Sequence, residues 1–98
     1  MATFIGLMNW TEQGIKDVKN MPEKVAGVRG QLGAMDVEIT SMHVTMGRYD
    51  IVAVIQTPSA ETASSALLTI GGQGNVRTET LTAFPFPEFV SDILPKVE

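Results

Sequence analysis

Three parts of this chain have strand-like patterns of apolar and polar residues, namely a segment apolar on both sides near the start, an alternating centre and a Thr-rich, β-branched segment near the end, and together they predict four strands. A first strand is expected at about residues 3–9 and a last one at about 75–84. Between them, residues 35–56 predict a β-hairpin. Gly47 and Arg48 are expected to form its two-residue turn, because glycine at the first central position suits a type II′ geometry.

A second pattern has helical spacing and predicts two main helices. Thr11 and Ser59 are the expected N-caps, since a hydroxyl oxygen can accept a bond from a free N–H of the first turn. Pro22 is expected to interrupt the first helix and restart it. The helices are expected to end at Gly33 and at the Gly71-Gly72 pair. After the last strand, a short terminal helix is expected to pack through Phe89, Val90, Ile93 and Leu94.

The order strand, helix, strand, strand, helix, strand predicts an α+β fold, the ferredoxin-like βαββαβ plait with a C-terminal helical tail. Right-handed crossovers place both helices on one face of such a sheet. The first and third strands then lie in the centre, and the other face has no helices of its own.

The two faces of the predicted hairpin differ in composition. One face is expected to be apolar, with the pairs Met46–Tyr49, Val44–Ile51, Met42–Ala53 and Thr40–Ile55. The other is mixed, with the pairs Thr45–Asp50, His43–Val52, Ser41–Val54 and Ile39–Gln56. Because large aliphatic side chains on an uncovered face favour a second layer, we expect a homodimer or larger homo-oligomer.

Composition narrows the classes of function. The 98 residues carry a net charge of −4 and scattered basic residues, which argues against nucleic-acid binding. No apolar run is long enough to span a membrane, and the first ten residues lack a signal-peptide layout, so a cytoplasmic location is expected. The chain has one histidine and no cysteine, and no metal or nucleotide cofactor is expected.

Three segments resemble the GYD domain family of small bacterial and archaeal proteins. They are Phe4 to Gln13, the stretch Thr45-Met-Gly-Arg-Tyr-Asp-Ile-Val, and Gly74-Asn-Val-Arg-Thr-Glu-Thr-Leu. Arg48 separates Gly47 from Tyr49, so the three residues that name the family are not contiguous here. The resemblance covers essentially the whole chain, 1–98, as a single GYD-like domain. It implies a dimeric α/β barrel and no particular activity.

His43 and Asp50 are the candidate catalytic residues. His43 is the only imidazole and therefore the simplest general base near neutral pH. In the predicted register it lies diagonal to Asp50, within reach of a bridging water. The alternative is that His43 is a hydrogen-bonded strand residue at a dimer interface and that Asp50 caps a turn.

Five further residues are candidates for ligand binding. The guanidinium of Arg77 could bind a carboxylate or phosphate through two N–H donors, and Glu79 could be its ion-pair partner or a base. These two residues form an inter-subunit salt bridge in the alternative reading. Asn9 and Trp10 could line an anion or carbonyl site, or Trp10 could staple the helix start. Tyr49 is expected at the rim of the apolar face, where its hydroxyl could contact a ligand or anchor the hairpin against a helix.

Three hypotheses of function remain open at this point. The first is a homo-oligomeric module that binds a small organic or anionic ligand in a cleft between sheets. The second is a cofactor-free enzyme, an isomerase or oxygenase that uses His43, which rests on analogy of fold. The third is a structural or regulatory subunit whose surfaces serve assembly.

Overall fold

The structure is a computed structural model that describes all residues from 1 to 98. Its strands are β1 Ala2–Trp10, β2 Glu38–Val44, β3 Ile51–Thr57 and β4 Val76–Ala83. Its helices are α1 Glu12–Lys16, α2 Met21–Gly33 and α3 Ala60–Gly72, with a 3₁₀ turn, Val18–Asn20, between α1 and α2. Three short helical pieces follow β4, at Phe86–Glu88, Phe89–Ile93 and Leu94–Lys96. We call residues 85–98 the C-terminal arm.

The strands form one antiparallel sheet in the order β2-β3-β1-β4. This order confirms the ferredoxin-like βαββαβ topology, with β1 and β3 in the centre.

The predicted caps are also confirmed. Thr11 Oγ1 accepts a hydrogen bond from Gly14 N at 3.1 Å, and Ser59 Oγ accepts one from Thr62 N at 3.2 Å. No helix of the protein combines the length and the apolar character that crossing a membrane requires.

The core lies between the helices and one face of the sheet, which we call the covered face. Buried side chains of β1 and β3 meet buried side chains of α2 and α3 there: Phe4, Met8, Ile51, Ala53, Ile55, Leu32, Ala63, Ala66 and Ile70. Alternate residues of the same strands therefore point to the opposite face, which no helix covers.

A β-bulge in β2 changes part of the predicted hairpin register. The pairs Val44–Ile51, His43–Val52, Met42–Ala53 and Ser41–Val54 are confirmed. The register shifts between Ile39 and Ser41, so that Ile39 pairs with Ile55. The predicted pairs Thr40–Ile55 and Ile39–Gln56 are therefore wrong. Because Thr40 is the extra residue, Ile39 returns to the covered face, where it is buried.

The predicted two-residue turn is also wrong. Pairing between β2 and β3 continues to the hydrogen bond from Thr45 N to Asp50 O, at 2.8 Å, and residues 46–49 form a longer loop. Gly47 has a φ of +118°, a backbone conformation that glycine adopts most readily. The side chain of Thr45 closes the loop by donating to Tyr49 O at 2.6 Å.

The C-terminal arm packs less than the sequence predicts. Phe89 and Ile93 are half-buried, and the rings of Phe86 and Phe89 lie 5.9 Å apart. Val90 and Leu94 are exposed, so their predicted packing is wrong. The main packing contacts of the arm lie within the arm itself, because no other element covers it.

Candidate functional site

The uncovered side of the sheet, which we call the open face, carries an apolar stripe along its centre. On this face Ile5 of β1 lies between Val54 of β3 and Leu81 of β4. Leu7 pairs with Val52 one step further along. Four of these five side chains are only half-buried, and Leu81 is 46% exposed. The stripe is thus continuous across three strands and has no second layer above it.

The edge strand β2 adds two polar side chains to one side of this stripe. Ser41 lies beside Val54, and His43 lies beside Val52. His43 is exposed, and its imidazole makes no hydrogen bond within the chain. It remains free to meet a group from outside the chain, so its predicted role as a base stays a prediction.

The opposite edge of the open face carries a tyrosine–glutamate contact. The Tyr49 hydroxyl donates to Glu79 Oε2 at 2.5 Å, across the end of the sheet. This hydrogen bond is the main reason that the pKa of Tyr49 is raised, with a smaller contribution from burial. The Arg48 guanidinium lies 5.7 Å from the centre of the Tyr49 ring and opposes the shift.

The position of Tyr49 corrects the prediction that it lies at the rim of the apolar, covered face with Met46. The longer loop carries Tyr49 across to Glu79, whose backbone pairs with Leu7 of the open-face stripe. Met46 is almost fully exposed. Arg77, two residues before Glu79 on the same face, is exposed and forms no salt bridge within the chain.

Asp50 fastens the hairpin loop to the end of β1. Its Oδ2 accepts a hydrogen bond from Trp10 N at 3.0 Å and a longer one, 3.4 Å, from Asn9 Nδ2. Asn9 Nδ2 also donates to Arg48 O at 2.9 Å, and Asp50 N donates to Met8 O at 2.9 Å. These contacts are those expected of the structural alternative for Asp50, and they also tie Asn9 to the loop, while the predicted catalytic and ligand-binding roles of the two residues stay predictions.

The predicted site residues therefore fall into two groups. One end of the sheet brings together Asn9, Tyr49, Asp50 and Glu79, with Arg77 beside them. His43 lies on the other edge strand, and no hydrogen bond joins it to Asp50. Trp10 joins this group only through its backbone N–H, because its side chain packs against the core on the covered face.

Sequence reasoning missed a cavity of about 80 Å³ beneath α2, on the covered side of the sheet. Its wall is mostly apolar, and its polar part includes Asp17, Lys24 and Asn75. Lys24 Nζ lies 2.7 Å from Asp17 Oδ2 and donates to Asn75 Oδ1 at 3.1 Å. Hydrogen bonds from Lys24 and then from Asn20 lower the pKa of Asp17. The one available signal was the pair of opposite charges, Asp17 and Lys24, seven positions apart and just before the apolar stripe of α2.

Fold and open face together define a small ferredoxin-like domain with one unpartnered sheet surface. The model of the GYD domain matches residues 4–92, and the chain belongs to that family. A relative from Thermus thermophilus is called "Glutamine synthetase and cystathionine beta-lyase binding protein". It is 30% identical over 92 residues, which cover 93% of this chain and 97% of the relative.

Crystal structures with the same fold have lower sequence identity. The structure of TTHA0845, also from Thermus thermophilus, superimposes with a TM-score of 0.56 at 22% identity, over 87% of this chain and 95% of that one. The structure of FFRP-DM1 gives a TM-score of 0.55 at 22% identity, over 86% of this chain and all of that one. These similarities support the α+β fold.

Proposed function

We propose that this protein is a homo-oligomeric binding module, in which two copies pair through their open faces and the pair binds another protein. The observation that carries the proposal is the apolar stripe of the open face. Its polar flanks, His43 on one edge and the Tyr49–Glu79 contact on the other, give the surface the apolar centre and polar rim of a protein interface.

The exposed area of the chain supports this pairing. The chain exposes 6348 Å², whereas a compact monomer of 10.6 kDa exposes about 5,500 Å². The excess of roughly 800–900 Å² includes the C-terminal arm and is close to the ~800 Å² per partner that a standard interface buries. A second copy supplies a matching apolar surface, since a two-fold dimer uses the same patch on both chains.

The relative from Thermus supports the second part of the proposal. Its name states that it binds glutamine synthetase and cystathionine beta-lyase, and it matches this chain over almost its whole length. We extend this kind of activity to the present chain as the regulatory or assembly subunit among the three hypotheses. A small ligand between the two sheets remains compatible with the paired module.

The pairing is tested by placing a charge at the centre of the open face. Val52→Lys is expected to convert a dimer into a monomer, because a lysine ammonium there cannot be buried against a second copy without a partner. Analytical ultracentrifugation at about 1–100 μM gives the mass of each species. The control is Leu68→Lys, since Leu68 is 74% exposed on α3. A monomeric wild type, or a Val52→Lys protein that stays dimeric and folded, would refute pairing through the open face.

Partner binding needs a separate experiment. Purified glutamine synthetase and cystathionine beta-lyase from the source organism are passed over the immobilised protein, and binding is measured by surface plasmon resonance. Binding of either enzyme with a dissociation constant of about 10 μM or below supports the proposal. If neither enzyme binds at ~100 μM, the proposed partners are wrong. That result does not bear on the proposed dimer, which is tested separately.

A further inference from the structure

The cavity beneath α2 lies on the side of the sheet opposite the proposed interface. Sheet residues such as Met8 and Met42 line it from one side, and Val25 and Val28 of α2 line it from the other. We infer that this cavity binds a small branched aliphatic molecule that carries one uncharged carbonyl oxygen. The inference is independent of the open face and of the proposed function.

The apolar wall accounts for the aliphatic part of the ligand. Twelve of the 17 lining residues are hydrophobic, and the part of the cavity that they enclose gives a water molecule too few polar partners. The volume of about 80 Å³ is roughly half that of the ~150 Å³ engineered cavity that binds benzene. The cavity therefore suits a branched group of about three or four carbon atoms, such as an isopropyl group and the carbon atom attached to it.

The polar part of the wall accounts for the oxygen. Of the three donors of the Lys24 ammonium, two are directed to Asp17 and Asn75. The Asn75 amide nitrogen donates to no protein group, while its oxygen accepts from both Lys24 and Gln13. Lys24 and Asn75 thus keep unused donors beside the cavity, and these match an acceptor on the ligand.

The charge of this group favours a neutral acceptor. The Lys24 ammonium is already paired with the Asp17 carboxylate at 2.7 Å, and the hydrogen bond from Lys24 lowers the pKa of that carboxyl. A carboxylate ligand would gain Lys24 only by approaching Asp17, a like charge. A ketone, aldehyde or amide oxygen accepts from the free donors without that repulsion.

The methionines give a direct readout of binding. Met8, Met21 and Met42 line the cavity, whereas Met1 and Met46 are 78% and 99% exposed elsewhere. The protein is labelled with carbon-13 at the methionine methyl groups and titrated with isopropyl methyl ketone. We expect saturable shifts of the three cavity methyl signals at roughly millimolar ligand, with Met1 and Met46 unchanged.

Two related compounds test the chemistry of the ligand. Isobutyrate, which is charged, and isopentane, which has no oxygen, are both expected to bind more weakly than the ketone by about five-fold or more. If isobutyrate bound more tightly than the ketone, the inference that the ligand carries an uncharged oxygen would be wrong. Equal binding of isopentane would overturn the role of the polar donors.

Variants locate the binding within the cavity. Lys24→Met keeps an apolar stem and removes the donors, so we expect the affinity for the ketone to fall about five-fold. Lys19→Met is the matched control, because Lys19 is exposed and does not line the cavity. Val28→Leu adds one methylene to the wall and is expected to weaken binding at least about three-fold without loss of folding.

Several results would overturn the site. These are an absence of shifts up to the solubility limit of the ketone, equal shifts of Met46, or equal effects of the Lys24 and Lys19 substitutions. The Val28→Leu variant changes the cavity wall without changing any charge, so an effect on binding cannot be a general effect of charge. If this variant bound the ketone as tightly as the wild type, the ligand would lie outside the cavity.

Discussion

At the scale of single residues, Asp50 holds two parts of the chain together. Its carboxylate accepts hydrogen bonds from Trp10 N and Asn9 Nδ2, which belong to the end of β1 some 40 residues earlier. A charged acceptor on a backbone N–H stabilises more than a neutral one does. The aspartate of the family motif is therefore placed to fix the hairpin loop against the sheet.

Replacement of Asp50 by asparagine is expected to lower the free energy of unfolding by about 1–2 kcal/mol, because the charge on the acceptor is lost. Urea denaturation followed by circular dichroism measures this change. Asp36→Asn is the control, since Asp36 is exposed and its φ of 60° suits asparagine equally well. Equal stability of the Asp50 variant and the wild type would contradict the role given to this carboxylate.

Tyr49 is the only tyrosine of the chain, so its ionisation can be followed without overlap. Its hydrogen bond to Glu79 raises its pKa above the ordinary value of 10.0. A raised pKa in the folded state means that the contact stabilises the fold below pH ~10 and that this stabilisation is lost as the pH rises through the raised pKa. Glu79→Gln removes the neighbouring negative charge and is expected to bring the pKa down towards 10.

An ultraviolet absorbance titration of the phenolate checks this prediction. Glu88→Gln serves as the control, because the Glu88 side chain lies on the C-terminal arm and has no contact with Tyr49. If the Glu79 and Glu88 variants titrate at the same pH as the wild type, the contact does not exist in solution.

At the scale of elements, α1 packs so closely on the start of β4 that a side chain at Gly14 does not fit. A Cβ atom there would lie 2.0 Å from Asn75 O, which is backbone and cannot move aside. Thr11 N also donates to Asn75 O at 3.1 Å, so any shift would strain this contact too. Gly14 thus sets the distance between α1 and β4.

Gly14→Ala is therefore expected to destabilise the protein by about 1–3 kcal/mol or more. Gly27→Ala in α2 is the matched control, because a Cβ there meets nothing within 4 Å. Alanine at that position is expected to stabilise α2 by about 0.5–1 kcal/mol. Thermal unfolding of the two variants should give shifts of opposite sign, and a Gly14→Ala protein as stable as the wild type would contradict the close packing.

The same elements show which features a sequence can reveal. Helix starts at Thr11 and Ser59 depend on residues within one turn, and the strand order follows from the sequence of elements. The bulge at Thr40 inserts one residue between two strand-like neighbours and leaves no local signal. The loop that carries Tyr49 to Glu79 depends on a contact between residues 30 positions apart, which no local pattern contains.

At the scale of the whole molecule, the C-terminal arm extends the chain beyond a compact shape. The radius of gyration is 14.7 Å, against about 13 Å for a compact domain of ~100 residues. The arm exposes Phe86, Val90, Leu94 and Val97. Since it packs mainly on itself, deletion of residues 85–98 is expected to change the melting temperature of the remaining domain by only a few degrees. A large drop measured by calorimetry would mean that the arm supports the fold.

The proposed dimer makes a last prediction about the molecule as a whole, namely that its stability depends on its concentration. If two open faces pair, unfolding also separates the chains, and mass action favours the folded dimer at higher concentration. A tenfold rise is equivalent to about 1.4 kcal/mol. For a dimer of ~200 residues that corresponds to a rise in melting temperature of roughly 3–6 °C.

Calorimetry over a hundredfold range of concentration measures this dependence. The Val52→Lys variant is expected to lose it, because its open face no longer pairs, while Leu68→Lys is expected to keep it. The protein without residues 85–98 shows which of the two exposed apolar surfaces, the open face or the C-terminal arm, is needed for pairing. If that shortened chain keeps the dependence, the stripe around Ile5, Val52 and Val54 is sufficient for pairing. If it loses the dependence while Val52→Lys keeps it, the arm and not the open face joins the two copies.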